Sequence, residues 1–127
     1  SLANYYNQFK EKNIIPKISI SNKKINKMVN KIAIIRIFEN ILSNALKYSN
    51  GNFEVIMNDD GIITFSNKAN SLDAITVQKI FDRYFTVENA KESTGIGLAI
   101  AKQLIEQNMG KITAKYVNGY LIINLYL

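Results

Sequence analysis

The stretch Arg36-Ile37-Phe38-Glu39-Asn40-Ile41-Leu42-Ser43-Asn44-Ala45-Leu46-Lys47-Tyr48-Ser49 decides the fold. Ile34, Ile35, Phe38, Ile41, Leu42, Ala45, Leu46 and Ser49 fall on one arc at about 100° per residue. Asn30 stands where an N-cap belongs, so the spacing predicts one long helix over 31–49 with that arc turned to a sheet. Asn40, Asn44 and Lys47 lie within about 60° of one another, opposite the arc. Such a stripe is commonly a solvated face. Here asparagine, a poor interior helix former, occurs twice on it, and magnesium accepts neutral amide oxygens beside phosphate oxygens. Lys47, one turn on, is a point charge suited to a phosphate.

Beyond this helix, 52–58 and 62–67 read as strands around Asp59-Asp60-Gly61, where glycine supplies the positive φ of a hairpin. Upstream, Leu2, Tyr5 or Tyr6, and Phe9 predict a short helix, and the β-branched run 14–20 a strand. The opening helix has no cap and starts abruptly at Ser1, so 1–13 reads as the end of an upstream helix or linker and 14–127 as the domain. Val77, Ile80 and Phe81 predict a short helix over 76–83, and 86–94 is a polar loop placed like a lid. A helix over 97–108 turns Leu98, Ala101, Leu104 and Ile105 inward, and strands over 111–117 and 120–127 flank the hairpin pair Asn118-Gly119. The order gives an α+β fold, a two-layer α/β sandwich whose mixed, mostly antiparallel sheet is covered on one face by three helices.

The 127 residues suit one domain, and 47% hydrophobic residues can supply its core. With no Cys and no His, the chain cannot build disulfides, thiolate or imidazole metal sites or Ser-His triads, and it holds no histidine phosphoacceptor. The net charge of +6 favours polyanionic partners, with solubility the plain alternative. No apolar run is long enough for a membrane span, which fits a cytoplasmic domain.

Ser93-Thr94-Gly95-Ile96-Gly97-Leu98-Ala99 places two glycines where a loop enters a helix, and uncovered N–H groups at a helix start cradle phosphates. In this order the elements resemble the histidine kinase branch of the GHKL ATPase superfamily, whose fold is the Bergerat fold; the similarity runs over 14–127. The stretch 36–49 looks like that family's N box. The resemblance implies ATP and Mg2+ as cofactors, with Asn44 the magnesium ligand, Asn40 and Lys47 approaching the phosphates and Tyr48 flanking the nucleotide. Ile80-Phe81-Asp82-Arg83-Tyr84-Phe85 resembles the phenylalanine-bearing box beneath the lid, with Tyr84 where a second Phe is usual. In the second glycine box, Thr94, Gly95, Ile96, Gly97 and Leu98 border the triphosphate, and Lys91 stands in the lid where Arg is common. The first glycine box departs from Asp-x-Gly-x-Gly: counted back from Phe81 it reads Asn67-Lys68-Ala69-Asn70-Ser71, leaving Asn67 to read adenine.

The resemblance implies transfer of the γ-phosphate of Mg-ATP to a histidine on a dimerisation domain upstream in a membrane-bound sensor kinase. It also implies a response regulator downstream in two-component signalling, a monomeric isolated domain, a homodimeric intact protein and no nucleic acid partner. The altered first glycine box leaves open a nucleotide-binding regulatory module with weak or no kinase activity. The charge alone leaves open a basic polyanion-binding module.

Overall fold

The computed structural model describes residues 2–22, 30–82 and 97–127. In chain order these form α1 (Leu2–Glu11), β1 (Lys17–Ile20), α2 (Lys31–Tyr48), β2 (Gly51–Met57), β3 (Ile62–Lys68), α3 (Ala74–Val77), α4 (Gly97–Gln107), β4 (Lys111–Val117) and β5 (Tyr120–Tyr126). The sheet order is β1-β2-β3-β5-β4, with β1 parallel to β2 and the other pairs antiparallel. The expected mixed sheet and layered sandwich are therefore present. Burial alternates along β3 and β5, so one face of the sheet is the core face.

Local chemistry sets the element boundaries. Asn30 accepts the Ala33 N–H at 3.1 Å and opens α2 as expected. Asn118 and Gly119 take φ of 51° and 83°, the left-handed pair that joins β4 to β5. The strand expected over 14–20 is confined to Lys17–Ile20, because the residues before it close α1 instead. Asn13 has φ 61°, Ile14 N–H donates to Phe9 C=O at 2.9 Å, and Ile14 is buried, which together make a Schellman end with its apolar contact. The helix expected over 76–83 is likewise shorter. An Asp73–Thr76 capping box starts it at Ala74, and three-residue turns carry the chain from Val77 to Asp82. Residue 83 lies outside the described residues.

α2 crosses the sheet with Ile37, Ile41, Asn44, Ala45 and Tyr48 buried. Phe38 meets Phe65 edge to face at 5.8 Å, and Phe9 stacks on Phe53 at 4.6 Å, which brings α1 onto the same layer. Ile41, fully buried, contributes an amount on the order of the 2–5 kcal/mol lost on truncation to Ala. Phe38 and Leu42 of the apolar arc, with Tyr5 and Phe9 of α1, line an apolar cavity of about 370 Å³. Ile35, expected on the sheet-facing arc, is exposed, because the buried face of α2 centres on Ile37 and Ile41 instead.

Candidate functional site

The polar stripe of α2 does not lie opposite its buried face, as its spacing suggested; it forms part of that face. Asn44 is 6% exposed and Tyr48 5%, while Asn40 and Lys47 are half-buried. The difference arises because α2 packs against α4 as well as the sheet, so the helix has two buried flanks. The Nδ2 atoms of Asn40 and Asn44 are buried, and neither has a hydrogen-bond partner among the described residues. A buried amide donor left so costs about 1–3 kcal/mol, so this pair is poorly explained as core packing. The Lys47 ammonium lies 5.3 Å from the centre of the Tyr48 ring, and burial pushes its pKa below the ordinary lysine value of 10.5.

The first turn of α4 comes up to Asn40. A Cβ added at Gly97 would stand 4.0 Å from Asn40 Oδ1, and the neighbouring Leu98 is buried in the core. Two elements far apart in sequence thus bring the N-terminal end of a helix beside the Asn40 amide, a setting suited to an anion. Of the second glycine box, Gly97 and Leu98 are described; Thr94, Gly95 and Ile96, together with Tyr84, Lys91 and the expected lid, lie outside the described residues.

Asn67 stands on the core face of β3 and is 3% exposed. Its Nδ2 donates to Lys68 C=O at 3.2 Å, which leaves Oδ1 as the acceptor to be presented. The same carbonyl accepts Asn50 N–H at 2.9 Å, so Asn67 lies at the end of the sandwich where α2 runs into β2. The stretch that replaces the first glycine box is pinned rather than loose. Ala69 N–H donates to Gly119 C=O, Tyr116 hydroxyl donates to Ala69 C=O at 3.0 Å, and Asn70 N–H donates to Asn50 Oδ1 at 3.0 Å. No residue from 67 to 71 takes a positive φ, so this backbone has no need of the missing glycines. Phe81 is half-buried after α3, with Lys102 Nζ 5.7 Å from its ring centre.

Two residues of this neighbourhood escaped the sequence reading. Asn50 ties the end of α2 to 68–70 through both its N–H and its side chain. Lys12 reaches from the end of α1 to the last turn of α2, where its Nζ donates to Leu46 C=O and to Ser49 C=O, the latter at 3.0 Å. Neither carries a signal in spacing or composition.

Residues 29–122 match the sequence model of the family described as histidine kinase-, DNA gyrase B-, and HSP90-like ATPase. The chain belongs to that family. The sensor protein kinase WalK of Staphylococcus aureus is 35% identical over 95 residues, which cover 66% of this chain and 23% of that protein. In the JH9 strain of the same organism the match covers 16% of the protein, so this ATPase-family chain spans a quarter or less of the length of the curated relatives it matches. Among solved structures, the catalytic domain of histidine kinase ThkA superposes with a TM-score of 0.76 at 22% identity, covering 98% of this chain and 87% of that one. The mycobacterial sensor histidine kinase MprB gives 0.75 at 17% identity, covering 99% and 93%. These two likenesses bear out the expected α+β sandwich fold.

Proposed function

We propose that the chain is the catalytic ATP-binding domain of a sensor histidine kinase, with 14–127 as the domain and α1 as the end of an upstream helix or linker docked through Phe9. ATP binds between the Asn40–Lys47 face of α2 and the start of α4, with adenine toward Asn67 Oδ1. The observation that carries this reading is the pair of buried amide nitrogens of Asn40 and Asn44 without partners among the described residues, on a helix whose Asn40 side chain neighbours Gly97. Phosphate oxygens are the acceptors those amides lack, and Lys47 adds charge. By the family resemblance Thr94, Gly95 and Ile96 would extend the phosphate site and Lys91 would belong to the lid, while Tyr48 and Phe81 flank the nucleotide.

Magnesium suits the same residues. The Asn44 amide carries an oxygen as well as a nitrogen, and a half-turn about Cβ–Cγ exchanges them, so it can serve a hard cation beside phosphate. When bound, the cation supplies charge neutralisation on the phosphates. The chain's own residues orient and desolvate the triphosphate. In the transfer, a histidine ring nitrogen forms a bond to the γ-phosphorus as its bond to the β–γ bridging oxygen breaks and ADP leaves. The chain has no His, so the acceptor belongs to another domain, in a dimeric, membrane-bound protein that passes the phosphoryl group to a response regulator. Among the described residues no helix is long and apolar enough to cross a membrane.

The test supplies a histidine-bearing dimerisation domain in trans with labelled Mg-ATP. Acid-labile label is expected on the supplied domain and none on this chain. ATP that fails to stabilise the chain against heat would end the reading. A regulatory module with little kinase activity is the second reading, favoured by the amide at Asn67 where the family pattern has a carboxylate; it predicts ATP binding without transfer.

A further inference from the structure

The last carbonyls of a helix have no partner inside it, and the next residues normally supply one. At the end of α2, Ser49 N–H donates to Ala45 C=O at 2.8 Å, but Asn50 N–H goes to Lys68 C=O as the chain enters β2. The donor that would have continued the helix to Leu46 C=O is thereby spent on the sheet. Lys12 Nζ takes its place, donating to Leu46 C=O and to Ser49 C=O. Burial lowers the Lys12 pKa.

The turn held in this way is the one that carries Lys47 and Tyr48. A helix C-terminus bears roughly half a negative charge, which opposes an anion received beside its last turn. An ammonium set against one of the helix's last carbonyls, Leu46 C=O, and the cap carbonyl of Ser49 counters that field. We propose that Lys12 is a positioning residue for the nucleotide: from α1 it fixes the last turn of α2 and neutralises the negative helix end where a triphosphate is received. The proposal rests on the ATP reading of the site. Because it acts through charge as well as order, its effect must grow with the negative charge of the ligand.

The test is a set of affinities for ATP, ADP and adenosine, measured by calorimetry on the wild-type chain, Lys12→Met and Lys12→Arg. Lys12→Met is expected to weaken ATP about tenfold, ADP less and adenosine least, and Lys12→Arg to restore ATP. The ATP deficit of Lys12→Met should also shrink as salt is raised. Unchanged ATP affinity in Lys12→Met, or an equal loss for all three ligands, overturns the proposal, the second because simple damage to the fold would not sort ligands by charge. If Lys12→Met does not fold, Lys12→Gln keeps a donor without the charge and must show the same ordering; wild-type ATP affinity in Lys12→Gln overturns it. A wild-type chain that binds none of the three overturns the nucleotide reading and this proposal with it, whereas the other outcomes touch the proposal alone.

Discussion

A Cβ built on Gly97 would lie 4.0 Å from Oδ1 of Asn40, an ordinary contact distance, and Gly97 does not take a left-handed φ. Among the described residues there is therefore room for a methyl group there, and the backbone has no conformational need of glycine. At the proposed site, what calls for the glycine is a ligand approaching the backbone between the two helices. Gly97→Ala is expected to keep or raise thermal stability, by up to about 1 kcal/mol, while weakening ATP about tenfold. Melting curves and ATP titrations on the two proteins check this; unaltered affinity would take the phosphates away from this turn.

Asn44 allows a similar separation of stability from binding. Leu has nearly the same shape and no orphan donor, so Asn44→Leu should leave the ligand-free chain as stable, or more so by about 1 kcal/mol. The magnesium-dependent part of the ATP thermal shift should vanish. A shift that keeps its full response to magnesium would remove Asn44 from the metal role.

At Asn67 the two effects oppose each other. A carboxylate accepts the adenine amino proton in a charge-assisted bond, so Asn67→Asp should tighten ATP about fivefold to tenfold and disfavour GTP, whose matching group is an acceptor. The carboxylate would also lose the donation to Lys68 C=O in a site only 3% exposed, so the ligand-free variant should melt lower. Calorimetry with ATP and GTP at fixed magnesium decides the first point. Identical ATP/GTP ratios in the two proteins would mean that Asn67 does not read the base.

Lys47 predicts a pH dependence. Burial holds its folded-state pKa below 10.5, so between the two values the unfolded chain binds more protons, and ligand-free stability contributed by this group rises with pH across that window. A triphosphate favours the charged form, so ATP affinity should be flat below the folded-state pKa and decline above it. Lys47→Arg, which stays charged, should lose this decline. Equal pH profiles in the two proteins would place the titration elsewhere.

The helix ends and hairpins were legible because their signals are local. Asn30 and Asn118-Gly119 act on their own backbone within three residues, wherever the rest of the chain goes. The run from Ile14 to Ile20 was read as one strand because β-branched residues suit either role; only the left-handed turn at Asn13 commits Ile14 to closing α1. Helical spacing sorted the α2 side chains into arcs but could not tell which neighbours each arc would meet. Hence the spacing puts Asn44 opposite the apolar arc, while the packing of α2 buries it. Asn67 was found only by counting back from Phe81 along a family pattern, since a lone asparagine near a strand end carries no such message. Lys12 was invisible because its partners are main-chain carbonyls, which every sequence possesses.

α2 is also the connection that joins β1 to β2, and those strands are parallel, so they cannot be linked by a tight turn. The hairpins β2–β3 and β4–β5 close over short stretches and can form early, whereas β1 finds its partner only after the whole helix has been laid across the sheet. The helix that bears the asparagines is therefore expected to be locked in place late in folding. A ligand held by it has nothing to grip during the early steps of folding. It should leave the refolding rate almost unchanged and act by slowing escape from the native state, so that occupancy lengthens the lifetime of the folded chain more than it hastens its formation.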